Sequence, residues 1–125
     1  MIHTPEKITS LNNNEIFVFG SNLAGRHGKG AALQAVKFGA KYGKGFGLFG
    51  QTFAIPTKDE NLKILPLHKI EKYIKVFLIY ATKRQDLLFI VTKIGCGLAG
   101  YTTDQIKPFF RKSLKNVILP KEFNN

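Results

Sequence analysis

The chain has 125 residues, 44% of them hydrophobic with eleven Phe and four Tyr, which fits one domain with a packed core and excludes a disordered polypeptide. One cysteine excludes a disulfide framework and a zinc cluster, no apolar run is long enough to cross a membrane, and residues 1–7 do not read as a signal peptide, so a cytoplasmic protein is expected. The formal charge of +11 predicts attraction to polyanions, but the sixteen Lys and three Arg are dispersed without a run of four, which excludes an obvious DNA-binding stripe and leaves weak, non-specific attraction to nucleic acid.

Residues 15–19 (Glu15-Ile16-Phe17-Val18-Phe19) are apolar without alternation and predict a first strand buried on both faces. A glycine-rich loop follows from Gly20 to Gly30. From Ala31 the residues Ala31, Leu33, Ala35, Val36 and Ala40 predict a helix, with Gly39 and Gly43 marking its end. Gly43 to Gly50 reads as a flexible stretch. Thr52-Phe53-Ala54-Ile55 predicts a short strand ended by Pro56, and residues 57–65 read as a polar loop with a brief extended piece at 62–65. After Pro66, Ile70, Tyr73, Ile74, Phe77, Leu78 and Ala81 fall on one helical face, with Glu71, Lys72 and Lys75 opposite. Residues 87–92 predict another buried strand. Beyond it, Thr102 or Thr103 can cap a helix carrying Ile106, Phe109, Phe110 and Leu114, and residues 116–120 predict a last short strand. The order β-α-β-α-β-α-β calls for a single α/β domain over residues 1–125, with a mostly parallel or mixed sheet and helices on both faces.

Nine of the twelve glycines lie between Gly20 and Gly50, and the other three are Gly95, Gly97 and Gly100. Each cluster follows a predicted strand and precedes a predicted helix. Glycine lets a ligand approach main-chain N–H groups closely, so loops so placed suit an anion such as a diphosphate, bound outside the strand carboxyl ends. The alternative is that the glycines only make tight turns. The first loop is not a Walker A loop, because Gly30 follows Lys29 where Ser or Thr would hold magnesium. Nor is it a dinucleotide fingerprint, since Gln51 and Thr52 occupy the region of the expected acidic residue. Ser21 and Asn22 are placed to hydrogen-bond a ribose or phosphate, although Asn22 equally suits an Asx-turn. Arg26, His27 and Lys29 are the basic side chains of the loop, either phosphate partners or a solvated tip.

These features resemble the macrodomain superfamily of ADP-ribose-binding modules. The likeness rests on Asn22, on Gly28-Lys29-Gly30-Ala31-Ala32, on Thr52-Phe53-Ala54-Ile55-Pro56-Thr57, and on Ile94-Gly95-Cys96-Gly97-Leu98-Ala99-Gly100-Tyr101. It spans about residues 6–119 and is nearest to a small macro-like branch seen in phages and bacteria. The resemblance implies a three-layer α/β fold, a first loop (Gly20, Ser21, Asn22, Gly28, Lys29, Gly30, Ala31) touching the distal ribose, and a second loop from Gly95 to Tyr101 cradling the diphosphate. Two departures stand out. The family usually carries an Asp near its N-terminus that reads the adenine amino group; here Glu6-Lys7-Ile8-Thr9 places Lys7 there. The family's adjacent Asn-containing positions are reduced to Phe19-Gly20-Ser21-Asn22.

As catalytic candidates, Asn22 orients the distal ribose, Asp59 acts as a base or water-orienting carboxylate, and His27 is the only histidine placed for a site role. Asp59 reads more readily as a solvated turn carboxylate. Cys96 is either a nucleophile at a helix-feeding loop or a small residue in a tight turn, and Tyr101 either caps the ligand or packs in the core. Neither a cofactor nor a metal site is expected. Three functions stay open at this level: an ADP-ribosyl or ADP-ribose-phosphate hydrolase, a non-catalytic sensor or sponge for nucleotide signals, and a basic nucleic-acid-binding protein.

Overall fold

The computed structural model describes residues 2–110 and 114–124. Five strands, β1 (Glu15–Asn22), β2 (Gly47–Phe49), β3 (Thr52–Lys58), β4 (Leu88–Val91) and β5 (Val117–Ile118), form one mixed sheet in the order β2-β3-β1-β4-β5. β3, β1, β4 and β5 are parallel, and β2 pairs antiparallel with β3 at one edge. Three helices accompany them: α1 (Gly30–Val36), α2 (Leu67–Lys83) and α3 (Thr103–Ile106), the last running into a 3-10 turn at Lys107–Phe110.

The unbroken apolar runs of β1, β3 and β4 arise because successive side chains enter two different cores. Ile16, Val18, Phe53, Ile55, Phe89 and Val91 point to one face, where they meet Ile70, Ile74, Phe77 and Ala81 of α2, together with Ile106, Phe110 and Phe123. Phe17, Phe19, Ala54 and Ile90 point to the other, where they meet Ala32 and Ala35 of α1 and Ile8. The apolar stripe expected of residues 70–81 is the buried face of α2, with Tyr73 and Leu78 half-buried at its margin. Asn116 holds the exit of that helix by donating from Nδ2 to the carbonyls of Ala81 (2.9 Å) and Arg84 (3.0 Å).

Several expectations are corrected. β3 does not stop at Pro56 but continues to Lys58. Pro56 stands opposite Ser21, past the reach of β2 and next to the point where the β1–β3 register slips to Asn22↔Lys58. An edge or bulge position is where a strand tolerates proline. Within the glycine stretch 43–50, Gly47–Phe49 turns back along β3 as an edge strand, which the glycine content concealed. α1 is shorter than expected and leaves Leu33 51% exposed, its core contacts coming from Ala32 and Ala35. Gly39, at φ 111°, ends it: Gly39 N–H donates to Val36 O and Ala40 N–H to Ala35 O, a Schellman-type stop that excludes Ala40 from the helix. The capping threonine is Thr102, whose hydroxyl accepts from Gln105 N–H while the Gln105 side chain accepts from Thr102 N–H. The expected continuation of that helix towards Leu114 crosses residues 111–113, which lie outside the described residues.

Candidate functional site

β1 and β4 are neighbours in the sheet, yet the chain leaves them towards opposite faces, to α1 and α3 respectively. Loops that diverge from adjacent parallel strands open a crevice at their carboxyl ends. A cleft of about 760 Å³ lies there. Its walls are the end of β1 with the first glycine loop, the end of β3, and the second glycine loop. Of the residues expected to meet a ligand, Gly20, Ser21, Asn22, Gly28, Lys29, Gly30 and Ala31 line it from one side, and Gly95, Cys96, Gly97, Leu98 and Ala99 from the other. Gly100 and Tyr101 do not. Gly100 N–H closes a turn on Gly97 O, and the Tyr101 hydroxyl donates to Leu65 O at 2.7 Å, so Tyr101 fastens the second loop to the segment before α2.

The first loop is shaped by its own polar groups. Asn22 lines the cleft, and both ends of its amide are engaged: Nδ2 donates to Arg26 O (2.8 Å) and Oδ1 accepts from Arg26 N–H (2.9 Å). It therefore acts first as the clasp of the 22–26 turn. Ser21 is buried and donates to the carbonyl of Gly45. Gly45 has to be glycine, since a Cβ there would stand 2.1 Å from Asn22 O.

Two catalytic candidates are displaced. His27 is fully buried beneath the loop; its Nε2 lies 2.9 Å from Lys41 O and its ring packs edge-on against Phe19. Flanked by Phe19 and Tyr42, it is a packing residue and not a cleft residue. The apolar surroundings of a loop that folds back over β1 account for this, and a sequence of basic residues gives no sign of it. Asp59 lies outside the cleft lining, and its Oδ1 accepts from the N–H groups of Asn61 (2.8 Å) and Lys63 (2.9 Å), closing the turn after β3. Glu6 and Lys7 are exposed and away from the cleft, while Ile8 beside them is a core residue.

Other lining residues were not anticipated. Thr57, Lys58 and Leu62 come from the end of β3 and its turn, and Thr92 and Lys93 from the end of β4. The topology of parallel neighbours brings them there, a signal that only the strand order supplies. Among the described residues four cations, Arg26, Lys29, Lys58 and Lys93, border the cleft, and no Asp or Glu does. Lys93 is engaged by Glu122 at 3.1 Å. The Glu122 carboxyl is held below its ordinary range, chiefly by a hydrogen bond from its own backbone and then by Lys93. Burial pushes the Cys96 thiol above its ordinary range, against a smaller opposing pull from Lys93. Its sulfur faces Ile94 O at 3.6 Å, so the thiolate needed of a nucleophile is disfavoured.

The second loop offers main-chain donors. Among the described residues no acceptor engages the N–H groups of Gly97, Leu98 or Ala99, while Cys96 N–H is bonded to Lys93 O. Successive free amides in a loop form a concavity suited to an anion. Leu98 and Leu62 both line the cleft and are 65% and 41% exposed. No helix of the described residues is long and apolar enough to cross a membrane. No protein-family model, curated protein or solved structure matches the chain.

Proposed function

We propose that the chain is a macrodomain-like, three-layer α/β domain that binds ADP-ribose or a related nucleotide diphosphate in the cleft between its two glycine loops. The observation that carries this reading is the pairing, among the described residues, of four bordering cations and no carboxylate with a row of unengaged amides at Gly97–Ala99. An anion placed there meets charge-assisted and main-chain hydrogen bonds together, where each alone would be weak. In this reading the second loop receives the diphosphate, and the first loop, held in shape by Asn22, faces the distal ribose. Arg26, Lys29 and Lys58 neutralise the phosphate charge.

The same lining favours binding over hydrolysis. A hydrolase needs a group to take or direct a proton at the reacting bond. Here the carboxylate of Asp59 is turned into its own loop, His27 is buried beneath the site, and the Cys96 thiol keeps its proton. The proposal is therefore a nucleotide-signal sensor or sponge.

Calorimetric titration with ADP-ribose tests it, with an expected micromolar dissociation constant equivalent to about 8 kcal/mol. Gly97→Val is the matched variant, because a Cβ at Gly97 meets nothing within 4 Å and would stand in the open cleft. A folded Gly97→Val protein that binds as wild type does would overturn the assignment.

A further inference from the structure

A ligand with a nucleobase is normally told from its relatives by fixed donors and acceptors at the base edge, and side chains usually supply them. The cleft holds neutral polar side chains at Ser21, Asn22, Thr57 and Thr92. Every one is already directed at the protein's own main chain. The Ser21 hydroxyl donates to Gly45 O, Thr57 Oγ1 to Ser21 O at 3.2 Å, and Thr92 Oγ1 to Val18 O at 2.8 Å. Asn22 grips Arg26 with both ends of its amide. A hydroxyl that has donated its one proton keeps only lone pairs, and the Asn22 amide, with one N–H left over, is fixed by two backbone bonds and cannot turn to follow a base.

The side chains left to meet a ligand are of two kinds. Lys29 and Lys58 are point charges on flexible stems, and Arg26 is a planar fork of donors matched to phosphate oxygens. Leu62 and Leu98 are apolar, exposed and part of the cleft lining. Aliphatic side chains of this sort pack against a flat ring face, which every base presents alike. The strongest directional groups, the amides of Gly97, Leu98 and Ala99, suit phosphate oxygens.

Resting on the diphosphate-site reading above, we infer that this cleft selects its ligand by the diphosphate and not by the base. Its substrate class is nucleoside diphosphate sugars at large, with ADP-ribose one member among several. Purine and pyrimidine derivatives bind it with closely similar affinities. The base rests against Leu62 and Leu98 without edge recognition, and the two phosphates supply the orientation.

The test is calorimetry on the whole chain with ADP-glucose, UDP-glucose and GDP-glucose, which differ only in the base, alongside ADP-ribose and adenosine. The three sugar nucleotides are expected to bind within about threefold of one another, a spread below 1 kcal/mol. Adenosine, which has the base and no phosphate, is expected to give no binding heat. Leu98→Asp, at an exposed position, is expected to weaken all three by the same factor. A preference of more than about tenfold for one base would overturn the inference and leave the diphosphate site standing. A Leu98→Asp loss confined to one base would do the same, whereas adenosine binding as tightly as ADP-glucose would overturn the inference and the diphosphate site together. If ADP-ribose and all three sugar nucleotides fail to bind, the diphosphate site itself falls and this inference with it.

Discussion

Leu62 is the one non-glycine residue with a positive φ among the described residues, at 64°. A leucine in the left-handed region costs about 1–2 kcal/mol, and its surroundings have to hold it there. Asp59 does so, accepting from Asn61 and Lys63 on either side while Leu62 N–H donates to Asp59 O. The strained residue stands at the cleft, where strain of this kind often marks a working position. Leu62→Gly separates the two effects: it should leave stability unchanged or raise it by up to about 1 kcal/mol, and weaken ADP-ribose binding. Parallel denaturation and titration check this, and a loss of stability would show that Leu62 serves the fold. Gly97 and Gly100 differ in the same way. Valine at Gly97 meets open space, whereas Gly100 sits at φ 82°, where a β-branched residue is strained. Gly100→Val should cost about 1–3 kcal/mol in urea unfolding and is a probe of the loop rather than of the ligand. Cys96 gives a third expectation at this scale. Its raised thiol keeps its proton near neutral pH, so alkylation by iodoacetamide should be slower than for a free cysteine and accelerate only above the ordinary thiol range. Rapid alkylation at neutral pH would contradict that.

At the scale of elements, α2 carries the larger of the two cores. Phe77 is fully buried and its ring packs against Phe53 and Phe89 at 5.0 and 5.3 Å between centroids. Phe77→Ala should cost about 3–5 kcal/mol by urea unfolding, enough to unfold a marginal domain. A cost below about 1 kcal/mol would mean that the site collapses freely, contrary to the packing described. This helix was legible from its apolar spacing alone, and β1 and β4 from their unbroken apolar runs. Pro56 and β2 were not legible. A proline ends a strand only when its N–H is needed, and that depends on which neighbour lies alongside and where the register slips. Gly47–Phe49 has a strand's geometry only because β3 offers it an edge. The candidate site divides similarly. The two glycine loops pointed to their half of the cleft because each follows a strand and precedes a helix, although Gly25, Gly39 and Gly45 serve turns and close packing and do not line it. Lys58, Leu62 and Lys93 carried no local signal, since their places follow from β3 and β4 flanking β1. His27 and Asp59 misled for a common reason: chemistry-bearing residue types in a loop satisfy the loop's own backbone or packing before they serve a ligand.

For the molecule as a whole, the charge of +11 has a location as well as a sum. Lysines are spread over the chain, but among the described residues four cations border one cleft that no carboxylate lines. A field of this kind raises the local concentration of anions and is weakened by salt, the screening length falling to about 8 Å at physiological ionic strength. ADP-ribose affinity should therefore decline moderately with added salt. Oligonucleotide binding, held by diffuse lysines, should be weaker at physiological salt and fall more steeply, because counterion release grows with the number of phosphates contacted. Salt titrations with both ligands check the ordering, and tight sequence-selective DNA binding would reverse it. The central claim, that the crevice between β1 and β4 is an anion-binding nucleotide site, concerns where a ligand sits. Amide chemical-shift mapping during titration with ADP-ribose measures this directly. The largest shifts should fall on Gly97, Leu98 and Ala99 and on the first glycine loop, with α2 unaffected. Shifts centred on α2, or none at saturating ligand, would contradict the account.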